Sequence, residues 1–332
     1  MAEVIRVTYP ELKALLFEPN VRDAMAQDIA ALLIELSEES VTESERQQIS
    51  QWVTQQPLPI IGRKRLNTPI ELETALDIIV ASDEEESQLL NGLLANPETS
   101  AVLVQTIRCT VQMPISIGLT MESLAYSTLQ GGREFEYWLE HRQPVKQRQT
   151  AANPVEVERA ETTLNVRLNS PENRNALSVA MRDSLADTFK LVAMDASIQA
   201  AQVTGNGPSF CAGGDLSEFG SNRNPVAAHL VRNMRMPAQY LAQRADIYTF
   251  NLHGACIGAG IEMPAFAGKL IADKDTFFVL PEVGMGLIPG AGGCVSIPRR
   301  MGRQRTNFMA ITGKQVSATE ALAWGLIDEI KP

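Results

Sequence analysis

The sequence predicts an α/β protein in two parts, a mostly helical N-terminal domain over residues 1–142 and an α/β domain over 156–332, joined by a linker at 143–155. Three observations predict it. Apolar residues of the first part recur mainly at helical spacing. The stretch QPVKQRQTAANPV at 143–155 is polar, carries prolines near both ends and has no apolar period. The second part alternates short apolar strands with glycine-bearing turns and helices. At 332 residues the chain is long enough for two domains and a large core.

A net charge of −10 argues against nucleic acid or an anionic membrane as main partner. The four cysteines, Cys109, Cys211, Cys256 and Cys294, show no close pairing and read as buried thiols of a reducing compartment, so a cytoplasmic location is expected. The first residues, MAEVIRVTYPELKALL, carry Glu3 and no apolar core behind a basic end, so no signal peptide is expected. No apolar run reaches the length of a membrane span.

In the first part, Val21, Met25, Ile29, Leu32, Leu33 and Leu36 predict one amphipathic helix, and 42–54 a second. Ser82 and Glu85 form a capping box ahead of QLLNGLLAN. AVLVQTI at 101–107 predicts a buried strand and 115–119 another, after which TMESLAYSTLQGGREFEYWLEHR reads as helix up to its glycine pair. Phe135, Tyr137 and Trp138 read as core or interface aromatics. No catalytic constellation is visible in this part.

The second part opens with a strand in which Leu164, Val166 and Leu168 alternate with polar residues. PENRNAL leads into a helix to about Ala193, and 200–205 is a strand followed by GNGPSFCAGGDLSEFG, where 215–218 begin a helix. Cys211 has no histidine at a motif spacing and Ser209 no GxSxG elbow, so neither reads as a nucleophile. AAHLVRNMRMPAQYLAQRA is helical; His229, Arg232 and Arg235 read as a solvated face or as the mouth of a ligand groove. The histidines His141, His229 and His253 are too scattered to ligate a metal, and no metal is expected. Two further helices are expected after residue 296, with a capping box at Ser317 and Glu320.

The richest stretch is LHGACIGAGIEMPAFAGKLIADKDTFFVLPEVGMGLIPGAGG, at 252–293. Gly254, Gly258 and Gly260 allow tight turns and close backbone approach ahead of a helix start, with Pro264 tolerable in its first turn. Such a start leaves N–H groups unpaired and pointing one way, a site for developing negative charge. A short buried strand at 277–280 then delivers Glu282 to its end. Glu262 and Glu282 beside such backbone suggest acid/base chemistry on an anion-forming substrate. A dinucleotide loop is a poor match, because Pro289 interrupts the glycines and no acidic residue stands where a ribose partner is needed.

The glycine-rich turn, a glutamate, a PE pair twenty residues on and the LIPGAGG run resemble the enoyl-CoA hydratase/isomerase (crotonase) family over about residues 155–331. The resemblance implies a crotonase-type ββα spiral and an enoyl-CoA hydratase/isomerase-type lyase, with Glu262 activating water and Glu282 giving a proton. It implies oxyanion donors at Gly214, in the FCAGGD segment, and at Ala259. It also implies contacts to coenzyme A or substrate at Arg174 and Ala176 of the NAL turn, at Ala212, Asp215 and Leu216, and at Gly290. No cofactor is implied, coenzyme A being part of the substrate, and a homo-oligomer, trimer or hexamer, is implied.

Three features depart from the family pattern. Ala259 stands where many members have glycine, which serves if its φ stays negative. Gly268 occupies a position commonly Asp. The sequence ends at Pro332, just after GLIDEI, where members continue into a helical segment over the acyl pocket, so the N-terminal region is expected to substitute for that cover or the assembly to differ. Another reaction on an acyl-CoA, double-bond isomerisation or thioester hydrolysis, stays open, as does a CoA-ester-binding assembly subunit.

Overall fold

The computed structural model describes residues 3–16, 29–36, 41–64, 72–144 and 151–331. Its first part begins with four parallel strands in the order β1 (Glu3–Thr8), β2 (Ile29–Leu36), β3 (Ile60–Lys64), β4 (Ile78–Val80). Helices α1 (Tyr9–Leu15) and α2 (Glu43–Gln55) pack over one face, where Leu12, Leu32, Ile34 and Ile49 form a core of their own. The expected helix through Ile29, Leu32, Leu33 and Leu36 is therefore corrected to a strand, while Val21 and Met25 lie outside the described residues. A parallel strand covered on both faces is apolar throughout, and the unbroken run IAALLIEL satisfies helical spacing as readily as strand.

Beyond the sheet the expectation of a mostly helical region holds. Helix α3 (Asp83–Ala95) starts at Ser82, whose Oγ accepts from Glu85 N at 3.1 Å. It is followed by α4 (Pro97–Thr110), α5 (Ile115–Gln130) and α6 (Arg133–His141). The strands expected at 101–107 and 115–119 are helix interior. In α4 the buried Leu103, Val104 and Ile107 fall on one helical face, and the same geometry turns Cys109 outward, where a buried thiol was expected.

In the second part β5 (Val155–Ala160) pairs antiparallel with β6 (Thr163–Leu168), so β5 takes up the end of the expected linker. Then follow α7 (Val179–Met194), β7 (Ala200–Gly205), α8 (Pro225–Met234), α9 (Pro237–Leu241) and β8 (Tyr248–Leu252). Residues 215–218 form a turn and not a helix start, because Asp215 Oδ1 accepts from Ser217 N at 2.9 Å and closes the chain on itself. Next come β9 (Ala255–Ile257), α10 (Ala259–Glu262), β10 (Lys269–Ala272) and β11 (Phe277–Val279). The chain closes with α11 (Gly293–Met301), α12 (Arg303–Thr312), β12 (Val316–Ser317), α13 (Ala318–Trp324) and β13 (Glu329–Ile330), three helices where two were expected.

The strands form one sheet in the order β13-β10-β8-β7-β6-β5 and another in the order β12-β11-β9. Successive strands β8 and β9, then β10 and β11, are dealt one to each sheet, which makes a ββα spiral. At Gly268 a Cβ would sit 2.8 Å from Asp246 O, so this backbone has no room for the aspartate common there.

The two parts share one continuous core, from Leu33 and Ile61 of the sheet through Leu103 and Ile107 to Val295 and Ile311. Thr110 Oγ1 donates to Cys294 O at 2.6 Å, and Asn307 Nδ2 donates to Asp77 O at 3.0 Å. Asp77 is fully buried and carries the Arg108 guanidinium, bonded by Nε at 2.8 Å. Among the described residues no helix is long and apolar enough to cross a membrane.

Candidate active site

Strand β9 ends at Gly258, whose φ of +48° turns the chain into α10. A Cβ there would lie 2.3 Å from Glu282 Oε1, so the glycine serves both the turn and the close approach of that carboxyl. Ala259 opens α10 with an ordinary negative φ, as required of a non-glycine residue, and Glu262 closes it. Glu282 arrives from the end of β11.

The loop leading into α11 binds two carboxylates by turns. Glu262 Oε2 accepts from Ala291 N at 2.7 Å and Gly293 N at 3.0 Å, while Glu122 of α5 accepts from Gly292 N at 2.7 Å and Cys294 N at 2.8 Å. Ser296 Oγ donates to Glu262 O at 2.7 Å and fixes the end of α10. Glu282 Oε2 is buried without a hydrogen-bond partner among the described residues.

All three carboxyls are buried, Glu122 at 0%, Glu262 at 2% and Glu282 at 9% exposure, and each therefore holds its proton more tightly than usual. Burial raises Glu262 to about 7, with the two loop amides pulling against it. Burial first, then the charge of Glu262, pushes Glu122 and Glu282 well above the carboxylate range. Glu262 is thus the first of the three to ionise. Its neighbours keep their protons.

Glu262 and Glu282 line a cavity of about 430 Å³ together with Gly214, Ala259, Asp215 and Gly290. Leu177 N donates to Gly213 O and Asp215 N to Leu177 O, so the pairing skips the Gly214 amide between them. Neither that amide nor the Ala259 amide finds an acceptor among the described residues.

The other four residues expected at coenzyme A lie off the cavity wall. Arg174 is exposed in left-handed backbone, with φ of +56°, and its carbonyl accepts from Ala212 N at 3.0 Å. Ala176 is buried, and Leu216 O accepts from Arg142 Nη1 at 2.7 Å. Of the basic residues on α8 and after it, Arg232 lines the cavity, Arg235 pairs with Asp187, and His229 Nδ1 meets Ser123 Oγ at 3.0 Å. Cys211 is buried with its thiol pushed up to about 12 by burial, which leaves it no nucleophilic role.

Sequence reasoning left open whether the first part covers the acyl pocket and named none of its residues at the site. Tyr126 and Gln130 of α5 and Phe135 of α6 stand on the cavity wall. Phe135 stacks on Trp138 at 5.9 Å, and Trp138 meets Phe219 edge-on at 6.1 Å, so these aromatics are an interface between the parts. One signal for Glu122 was available: it is the only charged residue in the helix ISIGLTMESLAYSTLQ.

A ββα spiral that brings two buried carboxyls and two unspent amides to one cavity defines a class, the crotonase fold with an acyl-thioester site. Residues 158–332 match the enoyl-CoA hydratase/isomerase family, and the chain belongs to it. It is 32% identical over 182 residues to a 2,3-dehydroadipyl-CoA hydratase of Escherichia coli, covering 53% of this chain and 68% of that one. To a 1,2-epoxyphenylacetyl-CoA isomerase of the same organism it is 33% identical over 169 residues, covering 49% and 64%. Among solved structures, an enoyl-CoA hydratase from Thermoplasma volcanium superposes with a TM-score of 0.50 at 32% identity, covering 54% of this chain and 72% of that one. The chain spans between 55% and 68% of the length of these and similar curated relatives.

Proposed function

We propose that the protein hydrates a 2-enoyl-CoA thioester, with coenzyme A entering as part of the substrate and no further cofactor. The observation that carries this reading is the pair of buried carboxyls of unequal proton affinity on one cavity wall, Glu262 at about 7 and Glu282 well above. Such a pair supplies a base and an acid at the same pH.

Glu262 Oε2 is tied to the loop, which leaves Oε1 to take a proton from water. The oxygen of that water bonds to C3, and the electrons of the double bond move onto the thioester oxygen. On this reading the Gly214 and Ala259 amides, which line the cavity without an acceptor among the described residues, hold that oxyanion, each contributing a few kcal/mol by the usual measure of such donors. Glu282 then delivers its proton to C2 as the electrons return from the thioester oxygen, and after product leaves Glu262 gives up the proton it took and Glu282 regains one through water, which restores the starting state. Each glutamate is worth about 10² to 10⁴ in rate.

The resemblance extends the reading to a trimer or hexamer, supported by Val226, Leu230 and Met234, which α8 turns to solvent at 67%, 54% and 65% exposure. Sedimentation of the purified protein tests it.

The reaction is tested by absorbance at the enoyl-thioester band with crotonyl-CoA and with longer and aromatic 2-enoyl-CoAs. Wild type should bleach the band of at least one of them, and Glu262→Gln and Glu282→Gln should leave it standing. If every 2-enoyl band persists in wild type while a 3-enoyl-CoA generates one, the protein is an isomerase of the same family.

A further inference from the structure

We propose that Arg232 is the recognition point for a second negative charge on the acyl group, so that the thioester taken at this site carries a carboxylate at the far end of its acyl chain. The inference rests on the thioester reading above and narrows its substrate class.

Arg232 reaches only uncharged acceptors: Ser123 O at 3.2 Å, Ser123 Oγ at 3.1 Å and Ser127 Oγ at 3.0 Å through Nη1, and Gln130 Oε1 at 3.1 Å through Nη2. Its guanidinium lies over the Tyr126 ring, 4.2 Å from the centroid. The other arginine on the cavity wall, Arg182, already has a carboxylate in Asp183 at 2.7 Å. Arg232 has none within ion-pair distance among the described residues. The nearest buried acid, Glu122, is committed by both oxygens to loop amides and is held protonated. Nε and one hydrogen of Nη2 are unspent, and a guanidinium with free N–H groups on a cavity wall suits a carboxylate.

Position decides which anion this is. The Tyr126 ring packs against Gly290, where a Cβ would lie 2.4 Å away, and its phenol feels the charges of Glu282 and Glu262. Arg232, stacked on that ring, therefore stands on the side of the cavity that carries Gly290 and the two glutamates. Phe135, Val231 and Met236 line the cavity as well, apolar wall for the methylenes in between.

The test compares 2-enoyl-CoAs of four to eight acyl carbons ending in a carboxylate with their methyl esters, in wild type, Arg232→Gln and Arg232→Lys. Wild type should favour the acid at one chain length. Arg232→Gln should lower kcat/KM for that acid about 30-fold or more, the low end for removing one partner of a buried charge pair, and change the ester by less than about threefold. Arg232→Lys should recover part of the preference. Equal use of acid and ester by wild type overturns the proposal, and so does an equal loss on both in Arg232→Gln. If the loss on both disappears when the substrates are N-acetylcysteamine thioesters, Arg232 reads a coenzyme A phosphate instead.

Calorimetric binding of the saturated acyl-CoA acids and esters separates this proposal from the hydration reading. A preference for the acid without turnover of any enoyl substrate removes the reaction and leaves the subsite. Turnover without preference does the reverse.

Discussion

Glu262 belongs to the spiral and Glu122 to a helix of the first part, yet they bind alternate amides of the same loop at 2.7 to 3.0 Å. Both are almost wholly buried, and burial raises the proton affinity of both. They differ in spare valence. Glu122 commits both oxygens to amides and stays off the cavity wall, while Glu262 lines the cavity and commits Oε2 alone, leaving Oε1 without a hydrogen-bond partner among the described residues. Burial and a shifted proton affinity mark structural and reacting carboxyls alike. The unspent oxygen tells them apart.

The largest effect is expected of Glu262→Gln. Its amide oxygen can still accept from Ala291 and Gly293, so unfolding in urea should show no loss of stability against wild type while kcat falls about 10²- to 10⁴-fold. A large stability loss with little change in kcat would put Glu262 in the same role as Glu122. Arg108→Leu is the converse in the first part. It leaves Asp77 buried at 0% exposure without its counter-ion, and should cost about 3–5 kcal/mol in urea unfolding with kcat of the folded fraction retained. Glu122→Gln comes next. One oxygen must replace two, so either Gly292 N or Cys294 N faces another donor, at about 1–3 kcal/mol of stability, with a smaller loss of activity than Glu262→Gln.

How much of this was legible follows from the same contrast. Glu262 and Glu282 sit in a run of glycines whose backbone needs were readable, because positive φ and close approach restrict the residue type at Gly258 and Gly293. Strands β6, β7 and β11 and helix α7 were legible from alternation and from the turns that bound them, whereas the spiral came from the resemblance. Glu122 and Tyr126 were not assigned to a site, and Arg232 was left between a solvated face and a groove mouth, because the contacts that give them meaning cross more than 100 residues of chain and leave no local period. The parallel sheet was missed for a different reason. IAALLIEL is apolar at every spacing at once, so only the cover on both faces, supplied by distant segments, decides for strand. AVLVQTI went the other way: its β-branched residues suggested a strand, and Pro97 at the start of α4 with a single buried face made it helix.

The smallest effect expected is the most specific, because it reads Glu262 in stability and activity at once. Its carboxyl is raised to about 7, whereas in the unfolded chain it titrates near 4.3 like any glutamate. Between about pH 4.3 and 7 the native protein therefore holds a proton that the unfolded chain has released, and stability falls as pH rises across that window. The same ionisation creates the base, so kcat/KM should climb through about pH 7 and fall at higher pH, where Glu282 loses the proton it must give. Urea unfolding of wild type and Glu262→Gln at pH 5.5 and 7.5 isolates the group from all other titrations. Wild type should lose more stability than the variant between the two pH values while gaining activity. A wild type that changes by no more than the variant between the two pH values would mean that Glu262 is already ionised at pH 5.5, and the division of labour between base and acid would have to be drawn from Glu282 and Glu122.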